Sequence, residues 1–305
     1  MLSAAVDSYL SSRRVAGFQL NDHEGILRDF ARFATTKGEA FVRTRTVLEW
    51  IRARKGSPLR QCVRLRTVVH FARYLQAEDA RHEVPPEHAC GRHQPQRRPP
   101  FLFTPQDVKA LIRAACALGP AGSLQPLVYS TLLGLLASTG LRISEALNLQ
   151  IEDVTSEGLV VRNTKFGKSR LLPLHRTTRQ ALDQYLERRC QEAGACEYLF
   201  LSIKGQKLHA NTVRHVFRRL VRSLGIVRRE EQPRPRLHDL RFYFANQALT
   251  NCSDDHEGIS RHMVALTTYL GHGDVRNSYW YLEATPKLLY RIAVSCEDFV
   301  NGGSQ

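Results

Sequence analysis

Five prolines crowd into the stretch from Val84 to Pro100, VPPEHACGRHQPQRRPP, where no helical or strand-like apolar period survives. Proline fixes φ and removes a backbone donor, so such a stretch continues neither a helix nor a sheet. Residues 84–100 are therefore expected to be a basic, semi-extended linker between two separately folded parts, 1–83 and 101–305. A chain of 305 residues suits two domains. The linker also holds His88, Cys90 and His93, but no fourth ligand stands at usable spacing, and no metal site is expected.

On either side of the linker the apolar period is helical. Before it, Ile26, Leu27, Phe30 and Phe33, then Val47, Leu48 and Ile51, then Val68, Val69, Phe71, Tyr74 and Leu75 recur at helix spacing. Ser57-Pro58 fits an N-cap with proline at the first helical position. This predicts a small all-α domain. After the linker, Thr104-Pro105-Gln106-Asp107 opens a helix through Leu111, and a second covers Leu127 to Ser138. Leu159–Arg162 and Arg170–Leu174 read as two strands with Lys165-Phe166-Gly167-Lys168 at their turn. Helices resume near Thr177. The expected fold class is mainly α with a small antiparallel β-sheet in the C-terminal domain.

Charge narrows the partners. Forty-four Lys and Arg face twenty-nine Asp and Glu, a net charge of +15, spread through RTRTVLEWIRARK, RQCVRLR, GRHQPQRRPP and FRRLVRS. A basic excess spread this widely suits a long track of phosphates, and nucleic acid is the commonest such partner. Seven cysteines, odd in number and irregular in spacing, read as reduced thiols of a cytoplasmic protein. The opening MLSAAVDSYLSSRRVAG lacks an apolar signal core, and no stretch reaches the roughly 18 apolar residues of a membrane span.

Three segments carry polar residues that interrupt apolar patterns. In STGLRISEALNLQIEDV, Arg142 lies between two helical segments, with Ser144 placed to cap the second and Glu145 within reach as an ion-pair partner. A guanidinium there suits bidentate contact with phosphate. In RLHDLRFYFAN, His238 and Arg241 stand three apart and share a helical face, with Asp239 as a candidate counter-ion. In TTYLGHGDVRNSYWYLEATP, His272 follows a glycine at a helix end and Tyr281 comes nine residues later. Tyr279 and Tyr281 would point roughly 200° apart on a helix, so only one can face a given site.

Taken together, Arg142, a hairpin lysine, His238-x-x-Arg241, Leu270-Gly271-His272 and Tyr281 have the order and approximate spacing that resembles the tyrosine recombinase (phage integrase) family. STGLRISEALNL and LHDLR are similar to its two arginine regions, and TKFGKSRLLPLH, LTTYLGH and YWYLEATP are closest in wording to transposon-borne members. The N-terminal helices resemble its core-binding domain. The resemblance implies site-specific cleavage and rejoining of DNA for integration or excision of a mobile element, in a bacterial, nucleoid-associated cytoplasm. Arg142 and Arg241 would clamp the scissile phosphate, His238 and His272 would donate hydrogen bonds and assist proton movement, and Tyr281 would be the nucleophile. The hairpin lysine would protonate the leaving 5′ oxygen; matching the turn selects Lys165, with Lys168 as the alternative. Glu145 would orient the first arginine. No cofactor, metal or ATP is implied.

Implied partners are double-stranded DNA and further copies of the chain, as a homo-tetramer on paired sites, with companion recombinases of the same element as an additional option. Arg64, Arg66, Arg97, Arg98 and Lys168 are candidate DNA-backbone contacts. The apolar positions of TPKLLYRIAVSCEDF suit packing on the chain's own domain or on a neighbour. Two departures from the family stand out. Phe242-Tyr243 follows the second arginine where His-Thr is frequent, and the segment from Arg241 to His272 is about eight residues longer than in well-known integrases. A catalytically idle DNA-binding protein of the same fold and a type IB topoisomerase are the competing expectations.

Overall fold

Apolar side chains at helical spacing build the first of two compact units, Met1–Arg97 and Arg98–Gln305. The computed structural model describes residues 2–18, 20–91, 98–120, 122–162, 169–192, 196–226, 233–250 and 256–271. In the first unit, α1 (Leu2–Val15), α2 (Asn21–Thr36), α3 (Thr44–Ala53) and α4 (Pro58–Glu78) surround a core containing Phe30, Trp50, Leu65 and Phe71. The expected start of α4 is present: Pro58 is its first residue and the Ser57 hydroxyl accepts the Arg60 amide at 3.3 Å. Val84 and Cys90 pack against this same core.

The second unit opens with α5 (Pro105–Cys116), closed at its start by a reciprocal cap. The Thr104 amide donates to the Asp107 carboxylate at 2.8 Å, and the Asp107 amide donates to the Thr104 hydroxyl at 3.1 Å. Next comes α6 (Gln125–Thr139), whose Val128, Leu132, Leu133, Leu135 and Leu136 are buried on several sides. A helix apolar all round belongs inside a domain, and α6 packs on α5, on α8 (Arg176–Glu192) and on α10 (Asp239–Thr250). It ends at Gly140, which takes φ +62° and donates its amide to Leu136 O at 3.0 Å. A Cβ on Gly140 would lie 2.6 Å from the Phe244 ring and 2.9 Å from Leu270. Glycine is required here by backbone shape and by packing alike.

A short helix α7 (Ile143–Asn148) leads into a three-stranded antiparallel sheet, order β1-β2-β3: Val154–Thr155, Gly158–Val161 and Arg170–Leu172. The two predicted strands are present, the first shifted by one residue and the second ending two residues earlier; Pro173, which has no N–H to give to a ladder, follows the second. Two-residue β1 is too short for an alternating pattern and went unpredicted. Register pairs Val161 with Arg170 and Leu159 with Leu172. The β2–β3 connection, residues 163–168, lies outside the described residues. After α8 come α9 (Ala210–Ser223), α10 and α11 (His256–Leu270).

Phe242, Ala245 and Leu249 of α10 meet Met263, Leu266 and Leu270 of α11 in a separate small core. The Phe242 side chain is thus part of this core. The segment between Arg241 and His272 comprises the rest of α10, residues 251–255, which are not described, α11 and Gly271. Among the described residues no helix is long and apolar enough to cross a membrane.

Gly158, at φ +146°, sets the β1–β2 turn, and a Cβ there would lie 2.2 Å from Leu172 O on β3. Gly158→Ala should destabilise the second unit by more than about 1 kcal/mol in equilibrium urea unfolding. A variant as stable as the parent would show that this hairpin can shift without cost.

Candidate active site

Where α6 ends at Gly140, the chain turns through Leu141 and Arg142 into α7. Arg142 is the residue before the helix, so its amide is one of the donors a helix start leaves without an intrahelical partner. Glu145, three residues on, reaches back: the Arg142 amide donates to Oε2 at 3.0 Å and Arg142 Nη1 donates to Oε1 at 2.6 Å. One carboxylate thus fixes both the backbone and the head group of Arg142. The expected Ser144 cap is replaced by this contact; Ser144 is exposed inside α7. The longer acidic side chain at the third helical position reaches the amide and carries charge toward the helix start.

Glu145 is 8% exposed. Burial pushes its pKa up, but hydrogen bonds from Arg170 and from the Arg142 amide, with the nearby positive charges, outweigh this. The carboxyl is held below the usual range for glutamate and is ionised at neutral pH.

His238 immediately precedes α10, and Arg241 sits in its first turn, its amide donating to His238 O at 3.1 Å. The predicted i, i+3 relation therefore holds across the helix start. Arg241 is 2% exposed. Its Nη1 donates to Gly140 O at 2.6 Å and its Nη2 to Leu270 O at 2.8 Å. Both acceptors lie at helix C-termini, where carbonyls lack intrahelical donors and the helix dipole favours a cation. Arg241 joins the ends of α6 and α11 in this way.

Asp239, a candidate counter-ion of a surface His-Arg pair, is not at the surface. It is buried and receives the Arg236 amide at 2.7 Å and Arg236 Nη2 at 3.0 Å. His238 is exposed, yet the protein around it desolvates the ring. That desolvation lowers its pKa below the ordinary histidine value; the charges of Arg241, Arg236 and Arg142 act in the same direction, against Asp239. His238, Arg241 and Arg142 thus act on one another electrostatically.

Sequence reading missed one member. Arg170, the first residue of β3, donates Nη2 to Glu145 Oε2 at 2.9 Å and Nε to Tyr269 O at 3.0 Å. An arginine beside two leucines in a short strand reads as a solvent-facing residue. The available signal was strand parity, because Arg170 shares a face with buried Leu172. Glu145 is shared by Arg142 and Arg170, while Arg241 is held on Gly140 O and Leu270 O, so positive charge exceeds negative among these members. Beside a neutral imidazole, such a site favours an anion with several acceptor oxygens.

Four predicted positions, Arg142, Glu145, His238 and Arg241, are therefore brought together. Lys165, Lys168, His272 and Tyr281 lie outside the described residues, although Gly271, next to His272, adjoins Arg170. Of the candidate DNA contacts, Arg66 is exposed, whereas Arg64 Nη1 donates to Arg54 O at 3.1 Å, at the end of α3. Arg98 is exposed and donates to Arg234 O at 3.1 Å; Arg97 lies outside the described residues. Among the described residues no group of three His, Cys, Asp or Glu side chains is placed to hold a metal ion.

Comparison with known proteins gives consistent results. Residues 102–287 match the Phage integrase family. A putative integrase/recombinase y4rB of Sinorhizobium fredii (strain NBRC 101917 / NGR234) is 36% identical over 294 residues, covering 93% of each chain. The fold is similar to the Tn1549 transposon integrase in complex with transposon right end DNA, with TM-score 0.63, 18% identity and coverage of 95% of this chain and 99% of that one. It is also similar to a lambda integrase tetramer bound to a Holliday junction, with TM-score 0.62, 18% identity and coverage of 92% and 76%. With its arginine motifs gathered at one site and its sequence matched from Leu102 onward, the chain belongs to the phage integrase family of tyrosine recombinases.

Proposed function

We propose that the chain is a site-specific DNA recombinase that cuts and rejoins strands through a 3′-phosphotyrosine at Tyr281, in the integration or excision of a mobile element. The observation that carries this reading is the pair of fixed arginines, Arg142 held by Glu145 and Arg241 held by the ends of α6 and α11, both acting electrostatically on His238. Arg142 and Arg241 would hold the non-bridging oxygens of one phosphate and stabilise the charge that grows as phosphorus becomes five-coordinate. The Tyr281 oxygen attacks phosphorus, the bond from phosphorus to the 5′ oxygen breaks, and that oxygen takes a proton from Lys165, with Lys168 as the alternative donor. His272 and His238 would bond the phosphate oxygens. Attack by a 5′ hydroxyl on the phosphotyrosine reverses each step, so the phosphodiester is restored without an external energy source.

A tyrosine in water has a pKa near 10, and a cationic pocket favours its phenolate. The neutral His238 ring supplies one donor without adding charge until an anion arrives. Double-stranded DNA is the proposed partner, with four copies of the chain on paired sites and companion recombinases of the same element able to join them. The net charge of +15 and the DNA named with both structural neighbours support this. Lys168, Arg66, Arg97 and Arg98 are the proposed backbone contacts, and Arg64 contributes through the α3–α4 junction.

The decisive assay uses a pool of nicked duplexes with randomised sequence and looks for protein–DNA adducts that survive denaturation. The wild type should form adducts, Tyr281→Phe none, and Tyr279→Phe should retain them. Arg241→Ala should slow adduct formation by about 10²–10³-fold. Wild-type protein that binds the pool but never forms an adduct would instead indicate an idle DNA-binding protein.

The lowered His238 pKa gives a second expectation. Followed by NMR, the ring should titrate below about 6.5 in the free protein and at higher pH once inorganic phosphate is bound. Because the unfolded chain takes up this proton first, the His238 contribution to stability falls as pH drops below about 6.5 and levels off beneath the folded midpoint. A midpoint unmoved by phosphate would place the ring away from any bound anion.

A further inference from the structure

Arg170 has no part in the proposed reaction, yet it bonds both the carboxylate that holds Arg142 and the end of α11. It enters at the foot of the β2–β3 hairpin, opposite Val161. Its side chain is 13% exposed, and that of Glu145 is 8%. Glu145 Oε2 accepts Arg170 Nη2 at 2.9 Å and Oε1 accepts Nη1 at 3.4 Å, while both oxygens also accept from Arg142. The third Arg170 contact, Nε to Tyr269 O, lies 99 positions away in sequence, at the end of α11. The Tyr269 hydroxyl donates to Pro173 O at 3.4 Å, so the strand and the helix end meet twice.

Gly271 completes the arrangement. It has φ +67°, and a Cβ there would lie 2.7 Å from Arg170 Nη1 and 3.0 Å from its Cζ. The backbone just before His272 therefore runs against the guanidinium plane, which only glycine permits.

We propose that Arg170 is a positioning residue: a clasp that holds the hairpin foot, the Arg142 turn and the end of α11 in one fixed relation. It acts through Glu145 and the Tyr269 carbonyl and does not touch the reacting atoms. Its service to cleavage rests on the recombinase reading; the clasp itself does not. With Arg170 removed, Glu145 loses two of its donors and holds Arg142 less firmly, while the end of α11 loses its backbone tie to the first residue of β3. Arginine's planar fork serves both acceptors at once, and lysine cannot reproduce this.

Hydrogen exchange read by mass spectrometry on the full chain tests the clasp without DNA. In Arg170→Gln, amides of residues 140–146 and of 266–271 should both exchange on the order of tenfold faster, with the first unit unchanged. Arg170→Lys should protect 140–146 and leave 266–271 fast. Gly271→Ala should speed both segments, and Gly271→Ala with Arg170→Gln should be no faster than the faster single variant, since both break one clasp. Acceleration confined to one segment in Arg170→Gln, or effects that multiply in the double variant, overturns the proposal. Should Arg170→Gln fail to fold by circular dichroism, the Arg170→Lys and Gly271→Ala profiles decide.

Cleavage is read separately. Arg170→Gln should lower the adduct rate about tenfold while duplex affinity stays within about threefold. If affinity falls with the rate, Arg170 is a DNA contact and not a positioning residue. If wild type forms no adduct, the recombinase reading fails and the exchange result still judges the clasp.

Discussion

The site depends on a buried cation placed between two helix ends. Carbonyls at a helix C-terminus must find donors, and α6 and α11 satisfy one each with the same Arg241 guanidinium, at Gly140 O and Leu270 O. This gives Arg241 a reason to be buried that precedes any ligand, and it fixes where its charge lies. It also explains why Gly140 must be glycine: its left-handed φ turns the carbonyl toward Arg241, and its missing Cβ admits Phe244 and Leu270. Two segments far apart in sequence are thereby brought to the same point.

Around that point charge is arranged by position. Glu145 is nearly buried and shared by Arg142 and Arg170, which keeps it ionised and leaves the surrounding field positive. Asp239, the other nearby acid, is held by Arg236. His238 remains neutral at an exposed position because the protein and the neighbouring guanidinium groups disfavour a further positive charge. Such a site is prepared for an anion before one arrives, so little reorganisation is needed when charge develops on a phosphate.

Much of this was legible in the sequence, for identifiable reasons. The helical period on both sides of the proline cluster, with one pair of strands, carried the fold class, and Thr104 and Ser57 announced their helices through local chemistry. Arg142, Glu145, His238 and Arg241 stood out as charges breaking apolar patterns in a recognisable order. Arg170 did not, because its partners lie 25 and 99 positions away and no local period encodes such pairings. Ser144 was chosen as a cap by residue preference, whereas Glu145 could satisfy the same amide and hold an arginine as well. Asp239 stands one position from His238 and two from Arg241, yet it bonds Arg236, three positions away, and only the fold of the turn decides this.

The most direct measurement is a structure of the Tyr281→Phe protein bound to the DNA recovered from its adducts. The account predicts guanidinium nitrogens of both Arg142 and Arg241 at about 3 Å from non-bridging oxygens of a single phosphate, with the ring at position 281 on the side opposite the 5′ oxygen. Arginines bound to different phosphates, or a ring at position 281 remote from both, would contradict it.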